Sequence, residues 1–332
     1  MVDAHQASPG DHQSRAEQAR AIAAVPGEKA GQPLQAKPTT FAGAPPGCPR
    51  GQRGKQMTAT DGGAFSDHLA GELPADPQLV LVTDLDGTLL GGSVEWRRRF
   101  YGWLERQRHC VLHVFCTGRD LRSVAALLAD DETHGLQAPH LVIGDVGCTV
   151  ACGTSLELVP PAVDPIEVRW AGKSDRVGPL LVGAAGLSPQ PISADRRLAY
   201  YYDPDAFDHD LIRLIEAQGV DCLLSDNKYL DVLPAGVNKG STLLDLLAWL
   251  QVPAERVVTA GDTLNDLAMF QTGLAGVMVG NAEAALQRCL PELPRTYLAE
   301  GHGCQGIAEG LAHHGFGHLL GDLLEALKQE AD

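Results

Sequence analysis

The sequence predicts an α/β protein whose core is a doubly wound parallel sheet, interrupted by an inserted α+β domain. Continuous aliphatic segments such as residues 79–83 are typical of strands that are buried on both faces of a parallel sheet. These segments alternate with segments of helical periodicity, first up to residue 143 and again after residue 239. The stretch between the two regions lacks that alternation. One domain is therefore expected to interrupt another.

Hydrophobic periodicity and turn residues place each element of this fold. The first part of the core is predicted to contain strands at residues 79–83, 111–115 and 141–143 and helices at 95–108 and 121–129. The insert is predicted to contain strands at residues 166–170, 198–202 and 221–224 and helices at 175–185 and 206–218. The second part of the core is predicted to contain a helix at 239–250, a strand at 256–260, a short helix after 264, a strand at 275–279 and helices near 304–313 and 317–328.

These elements predict the domain boundaries. The core is expected over residues 77–155 and 233–332, and the inserted α/β domain over residues 156–232. Residues 1–76 are rich in Ala, Gly, Pro, Gln and His and have no sustained apolar period. Because such a segment buries too little apolar surface to offset its conformational entropy, we expect a disordered tail there.

Composition narrows the class of protein. The 332 residues carry a formal net charge of −16, which disfavours binding to nucleic acid or to anionic lipid. The eight cysteines are scattered and form no Cys-x-x-Cys pair, so zinc is not expected. No run of about 18 apolar residues predicts a membrane span, and the start has no secretory signal pattern. We expect a cytoplasmic protein with a small-molecule substrate; its oligomeric state is not predicted.

The first motif that carries chemistry is Asp84-Leu85-Asp86-Gly87-Thr88, directly after the first predicted strand. In open α/β sheets the carboxyl ends of the strands form the edge where ligands bind. Two carboxylates at that edge can divide the work, since one can attack phosphorus while the other transfers protons. A solvated acidic turn or a fragment of a calcium loop would have the same sequence.

Two further segments supply groups that suit a phosphate. Thr117-Gly118-Arg119 follows the second predicted strand and precedes a helix, where a hydroxyl and free N–H groups form a phosphate cradle. Lys239 opens the helix after the insert and can neutralise a phosphoryl oxygen. Taken alone, the first segment is also an ordinary strand-to-helix turn, and Lys239 is also compatible with an exposed surface position.

The fourth segment, Gly261-Asp262-Thr263-Leu264-Asn265-Asp266, follows another aliphatic strand. Its acids can complete an oxygen shell for Mg²⁺, which prefers a few carboxylates together with water and phosphate. The alternative is a helix cap, with Asp262 or Thr263 capping the next helix.

In this order, the four segments resemble the four motifs of the haloacid dehalogenase (HAD) superfamily. The string at residues 230–240 and that at 276–282 resemble the members with a large α/β cap of type IIB, and residues 141–149 are similar to sucrose-phosphatase-like enzymes. The fourth motif differs at Thr263 and Leu264 from the Gly-Asp-Ser-Gly-Asn-Asp of plant and cyanobacterial members. The resemblance covers about residues 78–315 and implies a Rossmann-like core with an inserted cap.

The resemblance also implies a function, namely Mg²⁺-dependent hydrolysis of a small phosphorylated sugar or glycoside through an aspartyl phosphate. Each motif residue then has an implied role. The implied roles are catalysis for Asp84, Asp86, Thr117 and Lys239, phosphate binding for Gly118 and Asn265, Mg²⁺ binding for Asp84, Asp262 and the carbonyl of Asp86, and support of Lys239 or of a metal-bound water for Asp266.

Two other functions remain open from the sequence. Phosphomannomutases share this cap type, and a sugar phosphomutase needs cap arginines such as Arg196 and Arg197 to retain a bisphosphate. A non-enzymatic receiver-type protein also combines a phosphorylated Asp with a Thr and a Lys, but the second aspartate, Asp86, and the insert argue against it. For Arg119 the sequence leaves both a substrate contact and a structural ion pair open, and residues 226–229 form a polar loop suited to a sugar.

Overall fold

The computed structural model describes residue 69 and residues 73–130, 135–192 and 195–331, with side chains up to residue 329. The disordered tail predicted for residues 1–76 lies outside this part of the chain except for residues 69 and 73–76. Among the described residues, no helix combines the length and the apolar character that a membrane crossing requires.

The described residues form two sheets with helices packed on them. The strands are β1 Leu79–Thr83, β2 Val111–Cys116, β3 Leu141–Gly144, β4 Thr149–Cys152, β5 Leu187–Pro189, β6 Leu198–Tyr202, β7 Val220–Ser225, β8 Tyr229–Pro234, β9 Val257–Gly261, β10 Ala275–Met278 and β11 Thr296–Leu298. The helices are α1 Val94–Arg106, α2 Leu121–Leu128, α3 Pro160–Trp170, α4 Lys173–Leu181, α5 Asp210–Glu216, α6 Lys239–Leu250, α7 Leu267–Phe270, α8 Ala284–Gln287, α9 Cys304–Leu311, α10 Gly317–Leu320 and α11 Asp322–Ala331.

Seven strands form the core sheet, in the order β11-β10-β9-β1-β2-β3-β4. Neighbouring strands are parallel except for β3 and β4, which are antiparallel. Strands β2 to β4 extend the sheet on one side of β1, and strands β9 to β11 extend it on the other side. The predicted doubly wound sheet is confirmed. Its strand order reverses between β1 and β9, which is where ligands bind in such folds.

Residues of β1 point alternately into two hydrophobic clusters, one on each face of the core sheet. Leu79 and Leu81 pack in the cluster that includes residues of α1 and α9. Val80 and Val82 pack in the cluster that includes residues of α6. Because both faces are covered, β1 consists of apolar residues together with Thr83 and has no polar alternation.

Strands β5 to β8 form a separate antiparallel sheet, the cap sheet, in the order β5-β6-β8-β7. It lies in the chain between β4 and α6, so the predicted α+β insert is confirmed. Its own hydrophobic cluster includes Val177 and Leu181 of α4, Ile215 of α5 and Leu230 and Val232 of β8. The cap sheet therefore has a core of its own.

One predicted strand, at residues 166–170, is wrong, because these residues form the end of α3. The alternation of apolar and polar residues there suggested a strand. The buried residues of the helix are Ala162, Val163, Ile166 and Trp170, which lie on one helical face. Pro at the first positions of α3 also favours a helix start over a strand. The helical spacing of the buried residues includes Ala162 and Val163, which precede the predicted strand.

Candidate active site

The four motifs meet at the carboxyl edge of the core sheet. Asp84 directly follows β1 and Thr117 directly follows β2, while Asp262 directly follows β9. Lys239 is the first residue of α6, where the side chains of the N-cap Asn238 and of Ser241 each accept the other residue's backbone N–H. Three separate strands and one helix start therefore bring the predicted residues to the point where the strand order reverses.

Lys239 is the centre of this cluster. Its side chain is completely buried, and Nζ donates to Asp84 Oδ1 at 2.7 Å, to Asn265 Oδ1 at 2.7 Å and to Asp266 Oδ1 at 2.6 Å. Burial by itself would lower the pKa of Lys239, but Asp266 and Asp84 outweigh it and raise that pKa above its ordinary value. Lys239 is thus a permanently charged group with all three N–H donors in use.

Asp84, Asp262 and Asp266 offer carboxylate oxygens that lie within 4.8 Å of one another. Burial raises the pKa of Asp84 to about 7 although Lys239 opposes the shift, and burial together with repulsion from Asp84 raises the pKa of Asp262 to about 8. A divalent cation would offset this repulsion, and carboxylate oxygens are the ligands that Mg²⁺ prefers. The residues present therefore fit Mg²⁺.

Asp266 differs from the other two acids because hydrogen bonds engage both of its oxygens. Oδ1 accepts from Lys239 Nζ, and Oδ2 accepts from the backbone N–H groups of Asp262 and Thr263 at 2.9 and 3.1 Å. Asp266 therefore holds Lys239 and the loop that carries Asp262.

A tight turn after β1 packs against Asp262. Gly87 has φ of +78°, and a Cβ placed there would lie 2.0 Å from Asp262 Oδ2. Thr88 Oγ1 donates to Asp262 Oδ1 at 2.7 Å, and Asn281 Nδ2 donates to the Gly87 carbonyl at 2.8 Å. No role was predicted for Thr88 or Asn281, although Thr88 is part of the first motif and Asn281 of the string at 276–282.

Thr117 and Gly118 follow β2 on the other side of the site, where Gly118 lines the cavity. Thr117 is fully buried, and its Oγ1 accepts the backbone N–H of Arg119 at 3.2 Å. A Cβ at Gly118 would lie 3.8 Å from Asn265 Nδ2, which places the two predicted phosphate-binding residues side by side. Thr117, Gly118 and Asn265 are therefore brought together with Asp84 and Lys239.

Asp86 lies apart from the buried acids. Its carboxylate accepts two hydrogen bonds from Arg119, one from Nε at 2.8 Å and one from Nη2 at 2.7 Å, and its side chain is 61% exposed. Of the two roles left open for Arg119, the ion pair is the one observed. Arg119 therefore orients the Asp86 carboxylate at the mouth of the site.

A cavity of about 340 Å³ lies between the core sheet and the cap sheet, a size suited to a small molecule. Its lining on the core side includes Asp84, Asp86, Gly118 and Asn265. Its lining on the cap side includes Gln190, Ser225, Asp226 and Tyr229.

The family model of sucrose-6F-phosphate phosphohydrolase matches residues 77–315. Over 239 residues the chain is 38% identical to a glucosylglycerol-phosphate synthase of Pseudomonas anguilliseptica, a match that covers 72% of this chain and 31% of that protein. The chain thus spans about a third of the length of this relative. A mannosylfructose-phosphate phosphatase of Agrobacterium fabrum is 29% identical, with 72% of this chain and 98% of that protein covered.

A solved structure has the same architecture. It is the sucrose-phosphatase of Synechocystis in complex with sucrose and phosphate, which is 26% identical to this chain and superimposes with a TM-score of 0.65 over 72% of this chain and 98% of that one. The Bacillus subtilis haloacid dehalogenase-like hydrolase, at 16% identity and a TM-score of 0.53, shares the fold.

Proposed function

The chain belongs to the sucrose-6F-phosphate phosphohydrolase family of the HAD superfamily, and we propose that it is a Mg²⁺-dependent phosphatase of a small phosphorylated sugar or glycoside. The observation that carries this proposal is the buried contact of Asp84 with Lys239 beside Asp262. Phosphoryl transfer is mainly a matter of alignment and charge. A carboxylate whose orientation is held by a fixed cation meets both needs, so Asp84 is the proposed nucleophile.

The reaction would proceed in two steps. First, a carboxylate oxygen of Asp84 bonds to phosphorus as the bond to the sugar oxygen breaks, and that oxygen takes a proton from Asp86. Then Asp86 accepts a proton from water, whose oxygen displaces Asp84 from phosphorus. The exposed position of Asp86 suits a group that meets both leaving group and water, and Arg119 fixes its orientation; Asp86 would carry a proton when it acts on the leaving group.

Fixed donors would stabilise the charge on the phosphoryl oxygens. Because Thr117 Oγ1 accepts the N–H of Arg119, its own O–H remains to donate to phosphate. The N–H of Gly118 would add a second donor, and the positive charge of Lys239 would act through space, with Asn265 beside them. Such preorganised donors stabilise a transition state without rearrangement at the moment of reaction.

The residues that would hold Mg²⁺ are Asp84, Asp262 and, from the family resemblance, the backbone carbonyl of Asp86. When bound, the ion would supply positive charge to the phosphate oxygens. Asp266 would serve indirectly, since its two oxygens hold Lys239 and the loop of Asp262.

The substrate class follows from the cavity and the relatives. The named relatives act on or make phosphorylated glycosides, and the cap side of the cavity presents hydroxyl, amide and carboxylate groups that suit sugar hydroxyls. Arg196 and Arg197, the arginines that a phosphomutase would need for a second phosphate, are engaged in ion pairs with Glu167, Asp145 and Asp231. Hydrolysis is therefore favoured over the mutase function.

A phosphate-release screen tests the proposal. We would assay glucosylglycerol phosphate, mannosylfructose phosphate, sucrose 6-phosphate and glucose 6-phosphate with MgCl₂ and with EDTA. We expect turnover of at least one glycoside phosphate with Mg²⁺, and Asp84→Asn should lower kcat by roughly 1000-fold or more, because no other group replaces the nucleophile.

The matched control is Asp175→Asn, an exposed acid of α4, which should keep wild-type activity. Circular dichroism should show the same fold for both variants. If the Asp84→Asn protein kept wild-type turnover, the assignment of the nucleophile would be wrong, and release of phosphate from none of the esters would overturn the proposed function.

A further inference from the structure

A strained turn lies behind the active site, between β3 and β4. Asp145 has φ of +52°, Val146 of +58° and Gly147 of +103°, so three successive residues adopt left-handed conformations and two of them carry side chains. Val146 is β-branched, for which a positive φ is a marked outlier. Such strain persists only where surrounding contacts impose it.

The contacts of this turn reach two parts of the proposed site. The N–H of Val146 donates to the Thr117 carbonyl at 3.1 Å, and the N–H of Asp145 donates to the Arg119 carbonyl at 2.9 Å. On its other side, a Cβ at Gly147 would lie 2.4 Å from the carbonyl carbon of Asn238, the residue before Lys239. The turn therefore supports both the phosphate loop, residues 117–119, and the start of α6.

Arg197, which precedes β6 of the cap sheet, joins this turn to the phosphate loop. Its side chain is 4% exposed. Nε donates to Asp145 Oδ1 at 3.1 Å, Nη1 donates to Asp231 Oδ1 at 2.5 Å, and Nη2 donates to the Gly118 carbonyl at 2.8 Å. One guanidinium thus binds a cap strand through Asp231, the strained turn through Asp145 and the phosphate loop through Gly118.

The adjacent Arg196 is a natural comparison. It is also buried, at 7% exposure, and also extends from the cap to the same region. Its Nε donates to the Cys148 carbonyl at 2.9 Å, and Nη2 donates to Thr149 Oγ1 at 3.0 Å. The hydrogen bonds of Arg196 thus join the cap to the core at β4 and the residue before it, and not at the phosphate loop.

We propose that Arg197 is a positioning residue that couples the cap to catalysis, by holding the phosphate loop in the geometry that presents the Thr117 hydroxyl and the Gly118 N–H to the substrate. The inference rests on the proposed phosphatase function. Arg119 belongs to the same loop and pairs with Asp86, so Arg197 also acts indirectly on the proton-transfer residue. The effect should lie on the chemical step, whatever the leaving group.

The test compares Arg197→Lys with Arg196→Lys, because both keep a positive charge. An ammonium lacks the planar fork of a guanidinium and cannot serve three acceptors in the same geometry. With p-nitrophenyl phosphate, whose leaving group is not a sugar, Arg197→Lys should lower kcat by about 10- to 100-fold with little change in KM. The kcat of Arg196→Lys should stay within about threefold of the wild-type value, because the hydrogen bonds of Arg196 do not go to the phosphate loop.

Hydrogen–deuterium exchange gives a readout that needs no turnover. Peptides that contain residues 117–121 should exchange faster in Arg197→Lys than in Arg196→Lys or wild type. Equal kcat and equal exchange in the two variants would overturn the proposal and leave both arginines as cap anchors. The proposal would also be overturned if the only effect of Arg197→Lys were a higher KM for a sugar phosphate, because Arg197 would then contact the sugar.

The two proposals fail separately. If wild type hydrolysed no phosphate ester, the proposed function would be wrong, while the exchange experiment would still decide whether Arg197 holds the phosphate loop.

Discussion

The core edge and the cap hairpin face the same cavity but hold their charged side chains in opposite ways. At the core edge, Lys239, Asp84 and Asp266 are buried and bonded to one another. In the hairpin between β7 and β8, Asp226 and Lys228 are exposed. Under the proposed function, the charges that would meet the phosphoryl group are held in fixed contacts, whereas the charges that would meet the leaving group are exposed to solvent.

The two arrangements carry different energetic consequences. Removing one partner of a buried ion pair leaves an uncompensated charge, which is strongly destabilising. Exposed charges contribute little to stability because water already solvates them. Lys228 lies 5.0 Å from the centre of the Tyr229 ring and 5.6 Å from that of Tyr201, so its contacts are with aromatic faces at the surface. Removing a charged side chain should therefore destabilise the protein at the core edge and have little effect on its stability in the hairpin.

The largest effect is expected for Lys239→Met. It leaves Asp84 and Asp266 buried without their cation, and we expect the free energy of unfolding to fall by about 3 to 5 kcal/mol. Phosphate release should fall at least about 100-fold, because the fixed positive charge beside the proposed nucleophile is lost. Urea denaturation and steady-state assays measure the two effects.

Lys328→Met is the control for this change, since Lys328 and Glu325 form an exposed pair. Its stability should change by less than about 0.5 kcal/mol. A loss in Lys239→Met no larger than that would contradict the role of the buried cluster.

Stabilisation of the fold by Mg²⁺ should depend on an acid of the core edge, Asp262, and not on an acid of the hairpin, Asp226. Because Asp84 and Asp262 repel each other, binding of the ion should stabilise the wild-type fold, by about 2.7 kcal/mol at a hundred times the dissociation constant. Asp262→Asn should lose most of this shift, and Asp226→Asn, in the exposed hairpin, should retain it. Thermal unfolding with MgCl₂ and with EDTA measures the shift, and an unchanged shift in Asp262→Asn would rule out that ligand.

Two buried histidines of the core should make the free energy of unfolding depend on pH. Burial lowers the pKa of His113 to about 3 and that of His140 to about 4. The unfolded chain takes up these protons near pH 6.5 and the folded chain does not. Their contribution to the free energy of unfolding is therefore complete above pH 6.5 and is lost as the pH falls, towards 4 for His140 and towards 3 for His113. Each histidine contributes a slope of at most about 1.4 kcal/mol per pH unit.

Urea denaturation at pH 7, 6 and 5 tests this dependence, with wild type compared to His140→Gln. The variant should lose less stability between pH 6 and pH 5 than wild type does. Comparing the two slopes removes the contribution of the carboxylates, which is common to both proteins. Parallel slopes would show that His140 does not carry the effect.

The smallest effect is expected at the hairpin. Tyr229 lines the cap side of the cavity, and Tyr229→Phe removes only its hydroxyl. We expect KM for the glycoside phosphate to rise by about 2- to 10-fold, the value of one hydrogen bond. Turnover of p-nitrophenyl phosphate should not change. A tenfold fall in kcat on that ester would mean that the hairpin takes part in the chemistry.

Much of the core could be predicted because its signals are local. A strand buried on both faces is apolar throughout, as residues 79–83 are, and the carboxyl ends of parallel strands share an edge. The sequence therefore placed Asp84, Thr117 and Asp262 at one edge, and the resemblance to the HAD motifs added Lys239 to the same site. The insert was harder to predict, because the strand expected at residues 166–170 belongs to a helix that starts at residue 160.

Partners far apart in the chain were decided by the tertiary structure. The sequence left Arg119 with two roles, and the structure shows the ion pair with Asp86, which lies 33 positions away in the chain. Arg197 contacts Gly118, which lies 79 positions away, and no sequence pattern near Arg197 predicts that contact. Apolar runs and motif spacing are properties of neighbouring residues, whereas side-chain pairing depends on how separate elements pack.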